Sequence, residues 1–414
     1  MAAMIWSVIE KKECCGCGVC VNICPVECLE LRENSEGFLY PEYNQRKCIQ
    51  CKKCLKVCPA YGNVEGSNGR FLMAWHKDKD VLLKSSSGGV FTALACYVLQ
   101  KGGVVAGAAM DIKTKRISHI IVDNEEDLEQ LRLSKYYQSD MNNIYKKVEE
   151  FLENGKIVLF TGTACQIAGM KNYVKDKKCG RYLITVDVLC HGVESKKAID
   201  AYIQSKEREF KKEIINYQFR VKDRRIGWSG GGGTRMKLDF SDGSSFITDS
   251  LTDTFYVGYN YNIFLRESCY QCRFSGTKRV ADFTIADFWG VTDERLRRGC
   301  SKPLSKEEAD EQRRLGISLM MVNTDKAENI LSELGEVIEM SEINPEEAIR
   351  WNHVLNKPYS RPEARDYAYQ WLESKPHDKV VKKILRIHYI KIHMRKILGD
   401  RLTEKIKKIA RLFN

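Results

Sequence analysis

Cys14, Cys17, Cys20 and Cys24 precede Pro25, and Cys48, Cys51, Cys54 and Cys58 precede Pro59. Both runs read C-x2-C-x2-C-x3-C-P, the bacterial two-cluster ferredoxin spacing. Three close thiolates wrap three corners of one cubane, and the fourth crosses to the other cluster. The expected ligand sets are therefore Cys14, Cys17, Cys20 and Cys58 for one cluster, and Cys24, Cys48, Cys51 and Cys54 for the second. A structural zinc module is the competing use of paired cysteines. It does not explain two identical runs that each end in proline. Cys15 and Cys28 fall outside the pattern and read as bystanders.

A further pair, Cys269 and Cys272, stands in "SCYQCRFSGTKRVADFTIADFWG". Two thiolates rarely complete a metal site. Cys165, in "IVLFTGTACQIAG", and Cys190, in "LITVDVLCHG", each follow a strand-like apolar run. Ligands of α/β sheets gather beyond the carboxyl ends of parallel strands. If these two strands are neighbours, the four thiols form a candidate third iron–sulfur site. Burial as small apolar side chains is the other reading of Cys165 and Cys190, and spacing alone does not choose between them. Cys96, Cys179 and Cys300 read as buried side chains of that plain kind.

Iron–sulfur clusters pass single electrons, and a flavin converts these to the two-electron steps of organic substrates. "KSSSGGVFTAL" places Ser85, Ser86, Ser87, Gly88 and Gly89 before an apolar helix. Such a turn can cradle pyrophosphate at the helix N-terminus, or can simply cap the helix. Gly162 and Thr163 form a second small turn. Ser134, Lys135 and Tyr136, in "LSKYYQSD", could contact phosphate or an isoalloxazine ring, or could end a solvated helix. No G-x-G-x-x-G follows a strand, so a Rossmann nicotinamide site has no support, and no P-loop is present.

These residues need a scaffold. "GGVVAGAAM", "KIVLF", "YLITVDVL" and "GISLMMVN" are compact apolar runs with strand character. Helical stretches over 163–174 and 195–211 follow two of them. The alternation predicts an α/β (α+β) fold with a mixed sheet. "TRMKLDFSDGSSFITDS" predicts a hairpin around Asp242-Gly243. Three regions follow: a dicluster ferredoxin domain over 1–65, a flavin and iron–sulfur domain over 66–350, and a basic helical tail over 351–414.

The seventeen cysteines, with no apolar leader at the N-terminus, point to reduced thiols in a cytoplasmic protein. Net charge is +12. Residues 376–414 hold 12 Lys/Arg and 3 Asp/Glu, a local +9 that leaves +3 for the rest. Val380, Ile384, Ile387, Ile390, Met394 and Ile397 recur at helical spacing there, and Leu402, Ile406, Ile409 and Phe413 continue after Gly399. That stripe could lie on the inner face of an anionic membrane, or dock on this domain or a partner. No nucleic-acid reader motif accompanies the basic tail.

Taken together, "SSSGGVFTAL", "SKYYQS", "VLFTGTACQIAGM", "VDVLCHGVES", "FRVKDRRIGW", "RESCYQCRFSGTKRVADFTIADFWG" and "GISLMMVNT" resemble the coenzyme F420 hydrogenase/dehydrogenase beta-subunit family. The match spans roughly residues 71–324 in the expected order. The resemblance implies FAD in this domain and a third 4Fe-4S cluster on Cys165, Cys190, Cys269 and Cys272. Ala164 departs from the family, where proline often precedes the cysteine, and the glycine run in "RIGWSGGGGTRM" is a second departure. Beside the cluster, His191 could tune its potential or relay a proton, or be structural. Asp282 and Asp287 are further candidates for proton delivery, or routine partners of an arginine such as Arg279.

The expected function is an iron–sulfur flavoprotein oxidoreductase. It would pass electrons between ferredoxin-type clusters and FAD, and on to or from an organic hydride acceptor of deazaflavin or other type. The alternative is an electron-transfer subunit of a larger redox complex, with no substrate of its own. Either way an electron donor or acceptor protein is expected as a partner.

Overall fold

The computed structural model describes residues 8–62, 65–222, 227–228, 234–299 and 303–394. Cys300, the glycine run over 229–233 and the tail beyond 394 lie outside the described residues.

Chain order begins with a small antiparallel hairpin, β1 (Leu29–Glu33) and β2 (Leu39–Tyr43), inside the cysteine-rich module. The short β3 (Ser67–Asn68) follows. Five longer strands come next: β4 (Arg70–His76), β5 (Val104–Asp111), β6 (Arg116–Val122), β7 (Val158–Thr163) and β8 (Leu183–Val188). A separate antiparallel sheet holds β9 (Ile214–Gln218), β10 (Lys237–Phe240) and β11 (Ser245–Ile247), the last two being the expected hairpin. The chain then adds β12 (Lys278–Arg279), β13 (Phe283–Asp287), β14 (Ser318–Val322) and β15 (Ile338–Glu342).

The main sheet is mixed, with order β15-β4-β14-β13-β8-β7-β5-β6. Its centre, β13-β8-β7-β5, is parallel, and antiparallel strands extend both sides. Alternation sends neighbouring residues to opposite faces. Val105, Leu159 and Ile184 pack on one face with the helices Val90–Gln100 and Asp325–Leu334. Val104, Ala106, Val158, Phe160 and Leu183 pack on the other with the helices Ile144–Glu153 and Ala164–Val174. Both faces are covered, which explains why these strands read as continuous apolar runs rather than as alternating ones.

The cysteine-rich module docks on the second face, where Cys17, Val19 and Val57 join its core. Buried polar contacts fix the seam. Arg266 is fully buried; its Nε donates to Cys14 O at 2.7 Å, and its Nη1 to Leu39 O at 3.1 Å and Gln138 Oε1 at 3.0 Å. Its guanidinium lies 3.9 Å from the Tyr40 ring centroid. Tyr145 Oη donates to Cys17 O at 2.8 Å, and Arg365 grips Glu36 with both terminal nitrogens.

Of the alternatives for the tail, docking on this domain holds for its start. The helix His377–Ile384 buries Val380 and Val381 against Phe38, Val257, Phe264 and Tyr369. The start of the apolar stripe is thus core. Ile387, Ile390 and Met394 are exposed. Among the described residues no helix is long and apolar enough to cross a membrane.

Candidate metal and cofactor site

The two ferredoxin-type repeats share a backbone device. Gly16 and Gly18 have φ of 69° and 72°, and Gln50 and Lys52, at the same places in the second repeat, have 55° and 60°. Left-handed residues between the cysteines turn the thiols inward onto one point. Only the first repeat requires glycine. A Cβ on Gly16 would stand 2.2 Å from Gln138 Nε2 and 2.8 Å from Arg266 Nη1. The short helices Val19–Asn22 and Lys53–Lys56 occupy equivalent places in the repeats.

The crossed pairing of the repeats is visible in which thiols face one another. Burial raises the Cys20 thiol well above its usual range, and Cys14 and Cys58 add to the shift. Burial also raises Cys54, with Cys24, Cys51 and Cys48 as the thiols around it. Cys24, Cys48, Cys51 and Cys54 line one small cavity. Backbone N–H groups donate to sulfur there, from Gln50 to Cys48 at 3.3 Å and from Cys28 to Cys24 at 3.4 Å. Among the described residues no three His, Cys, Asp or Glu side chains converge as ligands of a single ion. A cubane spreads its thiolates over separate iron corners.

The other four thiols meet at the carboxyl end of the main sheet. β7 and β8 are parallel neighbours, so Cys165 and Cys190 leave the same edge. Cys165 sits in the first turn of the helix capped by Thr163, whose hydroxyl lies 3.1 Å from its sulfur. Cys269 and Cys272 come from a 3-10 turn after Arg266. Backbone pairing draws the loops together: Arg266 N donates to Val193 O at 3.0 Å, and Glu194 N to Tyr136 O at 3.0 Å. Burial pushes the Cys190 thiol well up, and Cys269, Cys165 and Cys272 push it further. Burial pushes Cys269 up to about 12. Four half-buried thiols that oppose one another's ionisation suit a cationic core that compensates their charge. The donor set fits a cubane.

Cys15 and Cys28, which fall outside the ligand pattern, stand beside the ligand sets. Cys15 has Cys165 and Cys17 as neighbouring thiols, so it lies between the first ferredoxin set and the sheet-edge set. Cys28 Sγ lies 3.4 Å from Cys24 Sγ and lines the second set's cavity. Cys96 and Cys179 touch none of these groups and pack against the two cores.

Those sheet-edge thiols form one wall of a cavity of about 740 Å³, large enough for a dinucleotide-sized ligand. Ser85, Ser86, Ser87, Gly89, Ser134, Lys135, Tyr136, Gly162, Thr163, His191 and Asp287 line it too. Ser86 Oγ accepts from Ser134 N at 2.9 Å, which joins the serine turn to the second polar segment. Gly89, with φ of 78°, caps the Val90–Gln100 helix and aims its N-terminus at the cavity. Gly88 turns away: its N–H donates to Ser318 Oγ at 2.9 Å, and a Cβ there would stand 2.5 Å from Ala74 O. Lys222 Nζ donates to the Leu82, Ser87 and Leu315 carbonyls and so pins the serine turn from behind.

The cavity is electropositive. Arg132, Lys135, Arg220, Arg273 and Arg279 face it, against Glu13 and Asp287. Arg220 pairs with Asp287, and Arg279 with the buried Asp187. Burial pulls the Lys135 ammonium down to about 7. His119 is held neutral, lowered to about 4 by burial, with its ring nitrogens on Ser139 Oγ and Thr161 O. His191 is similarly lowered to about 4 by burial, stacks between Tyr259 and Tyr359, and contacts Asn262 Oδ1 at 2.6 Å. A neutral imidazole here fixes orientation rather than storing a proton at neutral pH.

The two aspartates separate. Asp287 ends β13 at the cavity and also accepts from Trp228 Nε1 at 2.9 Å. Asp282, by contrast, precedes the strand at its other end. It accepts from Thr185 N at 2.8 Å, Thr185 Oγ1 at 2.7 Å and Thr324 Oγ1 at 2.8 Å, and it does not line the cavity. The expectation that Asp282 handles protons is corrected to a strand-bracing role. Arg132, Arg220, Trp289, Tyr259 and Tyr359 escaped residue-level notice because no local spacing marks them.

Comparison with known proteins gives three family matches. Residues 71–146 match the N-terminal model, and residues 155–346 the C-terminal model, of the coenzyme F420 hydrogenase/dehydrogenase beta subunit. Residues 13–61 match the 4Fe-4S dicluster domain. No curated protein matches the sequence. Among solved structures, a chain of the F420-reducing [NiFe] hydrogenase complex from Methanosarcina barkeri, studied by xenon derivatization, is similar at 16% identity. The alignment covers 81% of this chain and 95% of that one, with a TM-score of 0.44.

Proposed function

The chain belongs to the coenzyme F420 hydrogenase/dehydrogenase beta-subunit family and carries a 4Fe-4S dicluster domain, and from that premise we propose an FAD-dependent iron–sulfur oxidoreductase. It exchanges electrons with a redox protein on one side and a hydride with an organic molecule, of deazaflavin or similar type, on the other. Clusters supply one-electron exchange and flavin couples it to two-electron chemistry. One observation supports this reading above others: the four thiols Cys165, Cys190, Cys269 and Cys272 share a cavity wall with the Ser86–Ser134 turn and Lys135.

The chain's own residues divide the work. Ser86, Gly89 and the helix start at Val90 present a cradle for pyrophosphate. Lys135 and Arg132 supply cationic charge to it. Tyr136, packed edge-on to Tyr259 at 4.8 Å between ring centroids, closes the apolar side and excludes water. Arg220 holds Asp287 at the sheet edge, where its carboxylate can accept a proton from a molecule bound in the cavity. The segment past Tyr389 is assigned to peripheral contact with anionic lipid at the inner face of the membrane of a cytoplasmic protein, since Leu385, His388 and Tyr389 still pack on this domain. A chain shortened to residues 1–389 keeps the docked helix and its contacts and should lose vesicle co-sedimentation if that assignment holds.

The deciding measurement is iron and flavin per chain after anaerobic purification, for wild type and Cys269→Ser/Cys272→Ser. With four irons per cubane, wild type should hold about twelve irons and the variant about eight. About eight in both would remove the third cluster from the reading. Turnover of a deazaflavin by the purified chain separates an enzyme from a subunit that acts only within a larger complex.

A further inference from the structure

The iron–sulfur sets differ in how they meet solvent. Cys17 and Cys20 of the first ferredoxin set are buried and Cys14 and Cys58 half-buried, and the four sheet-edge thiols are half-buried in the wall of the large cavity. In the second set, Cys51 is exposed. A redox partner must approach a cluster closely, because electron transfer falls steeply with distance. The second set is therefore the point of entry from outside.

The surface around it has a definite charge. From 44 to 56 the chain reads "NQRKCIQCKKCLK", with Arg46, Lys47, Lys52, Lys53 and Lys56 and no acidic residue. All five basic residues are exposed. None forms an ion pair among the described residues, while Arg32 nearby on β1 is matched by Glu30 and Glu42. Ile49, Lys52 and Lys53 line the second set's cavity together, and Ile49 is 62% exposed, more than any other large apolar side chain among the module's described residues. An apolar centre inside a rim of unmatched charge is the anatomy of a protein docking site. Unpaired like charges also steer an oppositely charged partner and speed encounter.

We propose that this face, centred on Ile49 and Cys51 and rimmed by Lys47, Lys52, Lys53 and Lys56, docks a small acidic one-electron carrier protein. The inference rests on the reading of Cys24, Cys48, Cys51 and Cys54 as one cluster's ligands. Each encounter passes one electron between the carrier's centre and that cluster. One loses the electron the other gains, and no atom or proton moves. Two encounters match the electron pair of one hydride. An anionic lipid surface would also meet the basic rim, but it offers no redox centre to bring beside Cys51.

The test titrates the anaerobically purified, cluster-loaded chain with an acidic plant-type [2Fe–2S] ferredoxin by calorimetry, at 20 and 200 mM salt. Lys47→Glu/Lys53→Glu/Lys56→Glu should weaken binding by about tenfold or more at low salt and abolish most of the salt dependence. Lys113→Glu/Lys147→Glu/Lys175→Glu changes net charge equally on other exposed positions and should bind like wild type. Iron content of each variant shows whether the clusters are intact. Equal weakening in both variants, or wild-type affinity in the first, overturns the proposal. So does binding of the patch to anionic vesicles with none to the ferredoxin. Wild-type protein lacking the ferredoxin-type irons would instead refute the cluster reading beneath it.

Discussion

Arg266→Met should loosen the cysteine-rich module from the sheet domain without unfolding either. Methionine roughly preserves volume but removes the charge and every donated hydrogen bond. Cys14 O and Leu39 O lose the Arg266 donor, while Gln138 Oε1 loses one of two and keeps the Leu39 N–H at 2.9 Å. The Tyr40 ring loses a cation 3.9 Å from its centroid. Each buried acceptor left unpaired costs about 1–3 kcal/mol. The variant also escapes the cost of burying an arginine, which offsets part of the loss. The net is about 2–4 kcal/mol, or roughly a thirty- to a thousandfold rise in the undocked population. Hydrogen exchange read by mass spectrometry on the loaded protein is the assay. Peptides covering β1 and β2 should lose protection by that factor, while those covering β7 and β8 should not change. A loss below about 1 kcal/mol, or a uniform loss across the chain, would refute the idea that this guanidinium holds the seam.

Asp282→Ala should lower stability by about 2–4 kcal/mol, because Thr185 N is left unpaired in the core, yet leave turnover per folded molecule unchanged; calorimetry and activity of the soluble fraction test both halves. Asp287→Ala should lower both, because it leaves the buried Arg220 guanidinium and Trp228 Nε1 without their acceptor, at a cost of about 3–5 kcal/mol, and should also cut turnover per folded molecule in steady-state assays. Affinity of the flavin-free protein for a pyrophosphate-bearing nucleotide should be flat below pH 7 and fall above it, as Lys135 loses its proton; in Lys135→Met that slope should vanish. The sign for stability is opposite. Burial has lowered the folded-state value to about 7, so the unfolded chain holds more protons between there and 10.5, and stability should rise with pH across that window in urea titrations. Gly16→Ala should destabilise the seam strongly, while Gln50→Ala at the matching place should be nearly neutral in thermal melts.

The two ferredoxin-type ligand sets were legible from sequence because a cubane imposes its geometry on neighbours in the chain. Residues two or three apart must reach adjacent corners, so the requirement is written as spacing, and the left-handed turns at Gly16, Gly18, Gln50 and Lys52 follow from it. The strands β5, β7, β8 and β14 were legible as apolar runs, since a sheet covered on both faces needs them. The antiparallel flanks β4, β6 and β15 were not, because pairing order depends on contacts far apart in sequence. For the same reason only the tertiary structure decided where Cys165, Cys190, Cys269 and Cys272 lie: β7 had to neighbour β8, and the loop after Arg266 had to pair with Val193. Cys15 looked idle because its neighbour Cys165 is remote in sequence, and Cys28 because no ligand spacing includes it although Cys24 lies only four residues away. Asp282 and Asp287 looked alike in "ADFTIADFWG", yet they sit at opposite ends of β13. A sheet binds ligands at its carboxyl end, so one aspartate reaches the cavity and the other braces Thr185 and Thr324. The sequence determined which residues could carry electrons; the fold decided which of them share a wall.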